Sequence, residues 1–434
     1  MPTLARALYA GLTYLAYPLL RRKLRRRAQA EPGYAVAVEE RFGYYAAEQH
    51  PAQDAQVGWL WIHAVSLGET RAAAILLAAL RQQRPGLRLL LTHSTATGRA
   101  EGQKLLHPGD RQVWLPWDSP SAVQRFLRQF RPTLGVLMET EVWPNLIAAC
   151  QRQHLPLVLA NARLNEKSYR QAQRLGWLAR PAYAGLTAVY AQSEADAQRL
   201  RALGAKVAGV LGNLKFDAVP DATQIAQGQH WRASYPKPVL MLASSREGEE
   251  ALWLQALAAQ QAAQSIAQMP VQWLIVPRHP QRFDEVAALL AQAGLQVSRR
   301  SQWTGGQPIP ADVWLGDSLG EMALYYSLAS VALLGGSFAP LGGQNLIEAA
   351  ACGCPIVVGP HSFNFAEATA LALAQGAARP AQDMAQAVRW AGAWVQNGPA
   401  LAAAQAAAHN LGQAHRGAAQ ASASAVWALW PPGR

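Results

Sequence analysis

A few carboxylates and cations stand where apolar runs of this 434-residue chain give way to helical patterns. Glu69 closes the segment His63-Ala64-Val65-Ser66-Leu67-Gly68-Glu69. A carboxylate at such a turn can take a proton from a hydroxyl as a general base, and it can equally cap the helix it opens. Glu139 and Glu141 flank Thr140 ahead of Val142-Trp143-Pro144-Asn145, two acids beside an aromatic at a turn. Lys215 lies in Gly212-Asn213-Leu214-Lys215-Phe216-Asp217, close to a change of pattern in the chain. Arg278 sits in Pro277-Arg278-His279-Pro280, and its guanidinium suits the bidentate geometry of a phosphate. The densest run is Gly335-Gly336-Ser337-Phe338-Ala339-Pro340-Leu341-Gly342-Gly343-Gln344-Asn345-Leu346-Ile347-Glu348. Its glycines admit a ligand close to the backbone, and a helix opening at the second glycine pair would offer N–H groups to a phosphate. Asn345 and Glu348, three apart, would share a helix face, with Glu348 able to grip ribose hydroxyls. The run reads as a sugar-nucleotide site or as an ordinary strand–loop–helix connection.

The elements that must hold these residues alternate. Strand-like runs appear at Trp59–Ala64, Leu87–Thr92, Gln112–Leu115, Leu134–Met138, Leu157–Ala160 and Ala188–Ala191. They resume at Val239–Ala243, Trp273–Val276, Val313–Gly316, Val331–Leu334 and Ile356–Val358. Helical stretches separate them, as in parallel sheets covered on both faces. The pattern pauses through Asp217–Tyr235, which suggests two doubly wound domains with ligands at the carboxyl ends of the strands. The expected division is residues 1–27, 28–215, 216–400 and a helical tail 401–434. Other strand-end segments are Thr92–Gly98, a hydroxyl-rich loop or cap cluster, and Ser244–Glu250. Gly316-Asp317-Ser318-Leu319-Gly320-Glu321 and Gly359–Glu367 complete the set.

Composition excludes a disordered chain, since 51% of residues are apolar. Cys150, Cys352 and Cys354 are too few for a disulfide framework or a four-thiolate metal site. No His/Asp cluster with metal spacing stands out, so no metal is expected. The net charge is +12, but seven of the 39 basic residues and none of the 27 acids fall in residues 1–27, leaving +5 elsewhere. This distribution argues for no nucleic-acid partner. Instead, Ala7–Leu20 is uncharged and mostly apolar, and Arg21, Arg22, Lys23, Arg25, Arg26 and Arg27 follow it. Basic residues after the apolar run oppose a cleaved secretory signal and suit an uncleaved anchor held at anionic headgroups. The run is short for a span, which leaves a helix lying in one leaflet as an option. Tyr9, Tyr14 and Tyr17 would suit that interface.

Taken in order, these segments resemble the membrane-associated 3-deoxy-D-manno-oct-2-ulosonic acid (Kdo) transferases of lipopolysaccharide synthesis. The resemblance runs from the N-terminus to about Gly376 and includes Asn161-Ala162-Arg163. It implies a GT-B glycosyltransferase of two Rossmann-like domains facing a central cleft, acceptor domain first, with an N-terminal membrane-anchor helix. It implies CMP-Kdo as donor, a lipid A precursor as acceptor, and attachment to the cytoplasmic side of the inner membrane. It implies Glu69 as general base, with Glu139 and Lys215 supporting the transition state. It implies a CMP site from Pro277, Arg278, Leu319, Gly320, Glu321, Gly336, Ser337, Asn345, Leu346, Ile347 and Glu348. The chain departs from the family at Arg246 and Gln344, where histidines are usual, and at His93, where threonine is usual. Other readings are a GT-B enzyme using another sugar nucleotide, and a non-catalytic relative that binds anionic lipid.

Overall fold

The computed structural model describes residues 4–46, 58–262, 271–303, 307–414 and 416–431. The chain divides into two compact units, residues 1–217 with 416–434, and residues 218–415. The segment read from sequence as one tail, 401–434, is therefore shared between them.

In the first unit, seven strands form one sheet: β1 (Trp59–His63), β2 (Arg88–His93), β3 (Arg111–Trp114), β4 (Leu134–Met138), β5 (Leu157–Ala162), β6 (Ala188–Ala191) and β7 (Val207–Val210). Their order is β3-β2-β1-β4-β5-β6-β7, and every pairing is parallel. β1 and β4 are buried along their whole length, which is why they read as unbroken apolar runs. Leu60 and Ile62 face one core with Leu76 and Leu80, while Trp59 and Trp61 face the other with Phe126 and Phe130. The C-terminal helix Ala418–Trp427 joins the first of these cores through Ala423 and Val426. Asp217 caps it, accepting from the amides of Gly417 (2.5 Å) and Ala419 (2.6 Å).

The helices before and around the loops that follow β1 to β4 are α1 (Leu4–Leu15), α2 (Tyr17–Ala30), α3 (Leu67–Gln83), α4 (Ala96–Gln103), α5 (Pro120–Phe130) and α6 (Pro144–Arg152). α1 and α2 nearly continue one another: Ala16 donates to Leu12 O and Leu20 to Ala16 O. Pro18 has no N–H to offer the Tyr14 carbonyl, so the ladder is interrupted there. No described helix is long and apolar enough to cross a membrane.

The second unit carries β8 (Val239–Ser245), β9 (Gln272–Pro277), β10 (Val297–Arg299), β11 (Val313–Leu315), β12 (Val331–Leu334), β13 (Ile356–Val358) and β14 (Ala378–Pro380). Their order is β10-β11-β9-β8-β12-β13-β14, again all parallel. The stretch Asp217–Tyr235, read as a pause, contains the helix Ala222–Ser234, capped by Asp221 on the amides of Thr223 and Gln224. Its Gln and Gly content hides a buried anchor, Trp231, whose ring meets Trp303 edge-on at 5.4 Å.

Near the middle of each sheet the strand order reverses, between β1 and β4 and between β8 and β12. Loops leaving the carboxyl ends of such a pair diverge and open a crevice. Glu69 and Glu139 follow the first pair; Ser244–Glu250 and Gly335–Glu348 follow the second.

Candidate active site

Ser66 caps α3 in a reciprocal box. The Ser66 hydroxyl donates to Glu69 Oε1 at 3.2 Å, and Val65 N–H donates to Glu69 Oε2 at 2.9 Å. The two sequence readings of Glu69, cap and base, thus coincide, since the cap fixes the carboxylate in place. Burial pushes the Glu69 pKa up to about 7, and the charges of Glu139 and Glu141 push in the same direction. A carboxylate in that range is matched to proton abstraction near neutral pH.

Glu139 follows the last residue of β4, and its φ of +56° turns the chain sharply; such a conformation costs a non-glycine residue energy and is held by its surroundings. Its amide donates to Ala160 O (3.0 Å), and its carbonyl accepts from Arg163 N–H (3.1 Å). Lys215 Nζ lies 3.5 Å from Glu139 Oε1. Asn161, also left-handed with φ +52°, orients the lysine segment by accepting from Leu214 N–H at 3.1 Å. The structure therefore brings Glu69, Glu139 and Lys215 into one cluster and adds two residues that the sequence displayed without marking a role. Glu141 accepts from Trp143 Nε1 at 2.7 Å, and its pKa is raised by burial. His63 is fully buried, with Nε2 3.8 Å from Glu141 Oε2. Burial, reinforced by His93, pushes the His63 pKa down to about 3, so the ring is neutral.

The hydroxyl-rich loop after β2 serves the scaffold. Thr92 Oγ1 accepts from Trp61 Nε1 (2.8 Å), while Thr95 donates to Val65 O (2.7 Å) and caps α4. His93 is buried, with Nδ1 2.8 Å from Ala64 O.

In the second unit the decisive group is Glu249, completely buried and accepting from four backbone amides. Arg246 (2.9 Å) and Gly336 (2.7 Å) donate to Oε2; Phe338 (3.0 Å) and Ala339 (3.3 Å) donate to Oε1. One carboxylate thereby ties together the loops after β8 and β12, the pair at which the sheet order reverses. The loop then folds on itself: Gly343 N–H donates to Gly336 O (2.8 Å), and Gln344 N–H to Gly335 O (3.1 Å). Positive φ at Gly336, Gly342 and Gly343 permits this path. The helix begins at Ile347 rather than at the second glycine pair, and it is only five residues long. Of the amides expected from the sequence to hold a phosphate, those of Gly343 and Gln344 are spent on the loop itself and that of Ile347 on Asn345 Oδ1.

Other expected donor-site residues divide. Arg278 Nε donates to Gln344 Oε1 at 3.2 Å. A Cβ placed on Gly336 would stand 3.1 Å from Gln344 Nε2 and 3.6 Å from Arg246 Cγ, so Arg246, Arg278 and Gln344 gather around that glycine. Neighbouring Arg246, Arg278 and Arg282 reinforce the effect of burial in lowering the His279 pKa, marking a cationic locus. Pro277 ends β9, paired with Ser245. Glu321 accepts from Arg300 (2.7 Å) and from Ser318 Oγ, and Gly320 O accepts from Gln224 Nε2 (2.8 Å). Leu319 is 70% exposed. Ser337 uses its hydroxyl inside the fold, donating to Leu334 O and accepting from Gly359 N–H (2.8 Å). Asn345 Oδ1 accepts from Ile347 N–H (3.1 Å), and the side chains of Leu346 and Ile347 are core. Glu348 is half-buried in the first turn of Ile347–Ala351. Among the described residues, no group of three or more His, Cys, Asp or Glu is arranged to hold a metal ion.

The chain is 48% identical over 380 residues to a 3-deoxy-D-manno-octulosonic acid transferase of Bordetella pertussis, covering 86% of this chain and 87% of that one. This chain belongs to the 3-deoxy-D-manno-octulosonic acid transferase family. A relative of the same name from Haemophilus influenzae is 32% identical, with 83% of this chain and 84% of that one covered. A family model described as 3-deoxy-D-manno-octulosonic-acid transferase matches residues 37–218. Among solved structures, a glycosyltransferase from Rickettsia africae superimposes with a TM-score of 0.54 at 12% identity, covering 85% of this chain and 98% of that one. The Anabaena protein HepE in complex with UDP gives 0.55 at 13%, with 85% and 99% covered. These two likenesses show the fold alone, a two-domain GT-B architecture.

Proposed function

We propose that this family member is an inverting glycosyltransferase that moves Kdo from CMP-Kdo to a hydroxyl of a lipid A precursor. The observation that carries the reading is Glu69, a carboxylate fixed by its own cap, placed in a cluster of acids and raised to about 7. Glu69 takes the proton of a glucosamine hydroxyl. That oxygen bonds to the anomeric carbon of Kdo as the bond from that carbon to the CMP phosphate breaks, so CMP leaves with the electron pair and the centre inverts. Lys215 balances Glu139 beside the base. In the second unit Arg278 and Arg246 supply fixed positive charge for the departing phosphate. Glu348 grips the ribose.

The same reading places the enzyme on the cytoplasmic face of the inner membrane. Leu4, Leu8, Leu12, Leu15 and Leu19 are all exposed, spaced by four, four, three and four along α1 and the start of α2. That spacing makes one apolar stripe, suited to one leaflet of a bilayer. Arg22, Lys23, Arg25 and Arg26, exposed on α2, suit anionic headgroups.

The test is incubation with CMP-Kdo and a tetra-acylated lipid A precursor, with products counted by mass. Thermal protection by CMP, set against UDP and GDP, checks the nucleotide separately. Protection by UDP or GDP alone would assign a different donor.

A further inference from the structure

α6 begins directly after the acid loop Glu139–Trp143, and its first amides need acceptors. Its N-cap residue, Trp143, provides none from its side chain. The acceptor comes from far along the chain. Asp118, only 5% exposed, takes Asn145 N–H on Oδ2 (3.0 Å) and Leu146 N–H on Oδ1 (2.8 Å). Asn145 Nδ2 also donates to the Asp118 carbonyl at 2.7 Å. The start of α6 is thus pinned to the β3–α5 connection. Through Trp143, whose indole donates to Glu141, that pin reaches the acid loop.

Tyr9 of α1 also reaches Asp118, its hydroxyl interacting with that carboxylate. The other two tyrosines of the N-terminal helices bind nearby: Tyr14 Oη accepts from Ser121 N–H of α5 (3.0 Å), and Tyr17 Oη pairs with Ser119 Oγ in the connection. The sequence suggested that these tyrosines face a bilayer interface. Their hydroxyls turn inward instead, and the leucine stripe faces out. Only Tyr9 ends on the carboxylate that pins α6.

We infer that Tyr9 and Asp118 are positioning residues through which the N-terminal helix sets the acid loop Glu139–Trp143. Seating or lifting α1 then alters the placement of Glu139 and Glu141 without touching either. The carboxylate is desolvated, and burial holds the Asp118 pKa up to about 7, so losing the Tyr9 hydroxyl is felt by its bonds to the Asn145 and Leu146 amides.

The test uses the full-length protein and Tyr9→Phe, which removes the hydroxyl and keeps the ring. Amide hydrogen exchange is followed by mass over residues 139–150 and over the strands of the first sheet. Exchange of 139–150 should quicken while β1 and β5 stay as in wild type. Tyr14→Phe, which loses a bond to α5 only, should leave exchange of 139–150 unchanged. On detergent-dispersed acceptor, kcat of Tyr9→Phe should fall about three- to thirtyfold with donor KM unaltered. Unchanged exchange in 139–150 overturns the inference. Faster exchange with wild-type kcat also overturns it, because the loop would then not be felt by the reaction. Equal quickening across the whole sheet overturns it too, as plain destabilisation. The kcat arm rests on the proposed transferase reading and the exchange arm does not. A wild-type protein inactive on CMP-Kdo would therefore sink that reading, and exchange would still decide this one.

Discussion

In the proposed mechanism Glu69 is the residue on which the chemistry turns, and its environment makes two measurable statements. Glu69→Gln keeps the cap geometry but cannot accept a proton, so turnover should fall by at least about a hundredfold. CMP affinity, which the proposal assigns to the second unit, should be nearly intact. Calorimetry beside a turnover assay checks both, and more than a tenth of wild-type rate would remove the base assignment. The wild-type enzyme should show an acid limb in kcat/KM, with activity rising to a plateau above about pH 7 as Glu69 ionises. The stability sign runs the other way. A carboxyl raised from 4.5 to about 7 binds its proton more tightly folded than unfolded, so it costs stability as pH rises through that window. The unfolding free energy of Glu69→Gln relative to wild type should therefore increase between pH 4.5 and 7, by about 3 kcal/mol at most. Arg278→Ala and Glu348→Ala should instead weaken CMP binding, by roughly 1.5–3 kcal/mol each, the range for charged hydrogen bonds. Calorimetry giving unchanged affinity in both would move the nucleotide elsewhere.

At the scale of elements, the site depends on what closes each crevice where strand order reverses. Glu249 closes one by holding four amides from two loops. Glu249→Ala would leave those amides without their acceptor and release the Gly335–Pro340 loop. The expected result is a loss of CMP affinity larger than for Arg278→Ala, together with a lower melting temperature. A melting temperature and a CMP titration matching wild type would show the loop holds its shape unaided. The sequence displayed Glu249 inside Ser244–Glu250 but gave no sign of three of its four partners, Gly336, Phe338 and Ala339, which lie about ninety residues downstream; long-range carboxylate-to-amide bonds leave no local pattern. Asp118 and Asn145 were unreadable for the same reason. By contrast, β1, β4, β8 and β12 were legible because burial on both faces makes each a continuous apolar run. β7, β10 and β14 were not, being three or four residues long and partly exposed. Glu69, Glu139 and Lys215 could be found because each stands near the carboxyl end of a strand or at the domain junction. The roles given to Ser337, Leu346 and Ile347 could not be judged from spacing, because only packing reveals that a hydroxyl or an apolar side chain is already engaged.

Over the whole molecule, the proposal gives the N-terminal helices two purposes that a single deletion would confuse. Their sequence suggested a detachable anchor, since no strand pattern lies before Trp59. The structure shows otherwise on the inner side. Leu24 is buried with Tyr34 and Phe42, and Tyr17 packs edge-on against Phe42 at 4.9 Å. Arg21 lies over the same ring at 4.0 Å and binds Glu39 through both nitrogens, so it is not available to headgroups as the basic run implied. Removing residues 1–27 would uncover Phe42 and strip Asp118 of its Tyr9 contact, and should lower the melting temperature as well as weaken vesicle binding. The outer side can be tested alone. Leu4, Leu8, Leu12 and Leu15 are 60–80% exposed, so changing all four to serine removes little packing and should leave the melting temperature within about a degree or two, as surface substitutions usually do. Each leucine entering the bilayer contributes about 1.5–3 kcal/mol when fully buried, so even partial insertion of four is a large share of the binding energy. The variant should pellet poorly with anionic vesicles, and raising salt should weaken what remains, because only the cations of α2 would still hold it. If the serine variant sedimented with vesicles as wild type does, the leucine stripe would not be the membrane face, and attachment would have to come from another surface of the first unit.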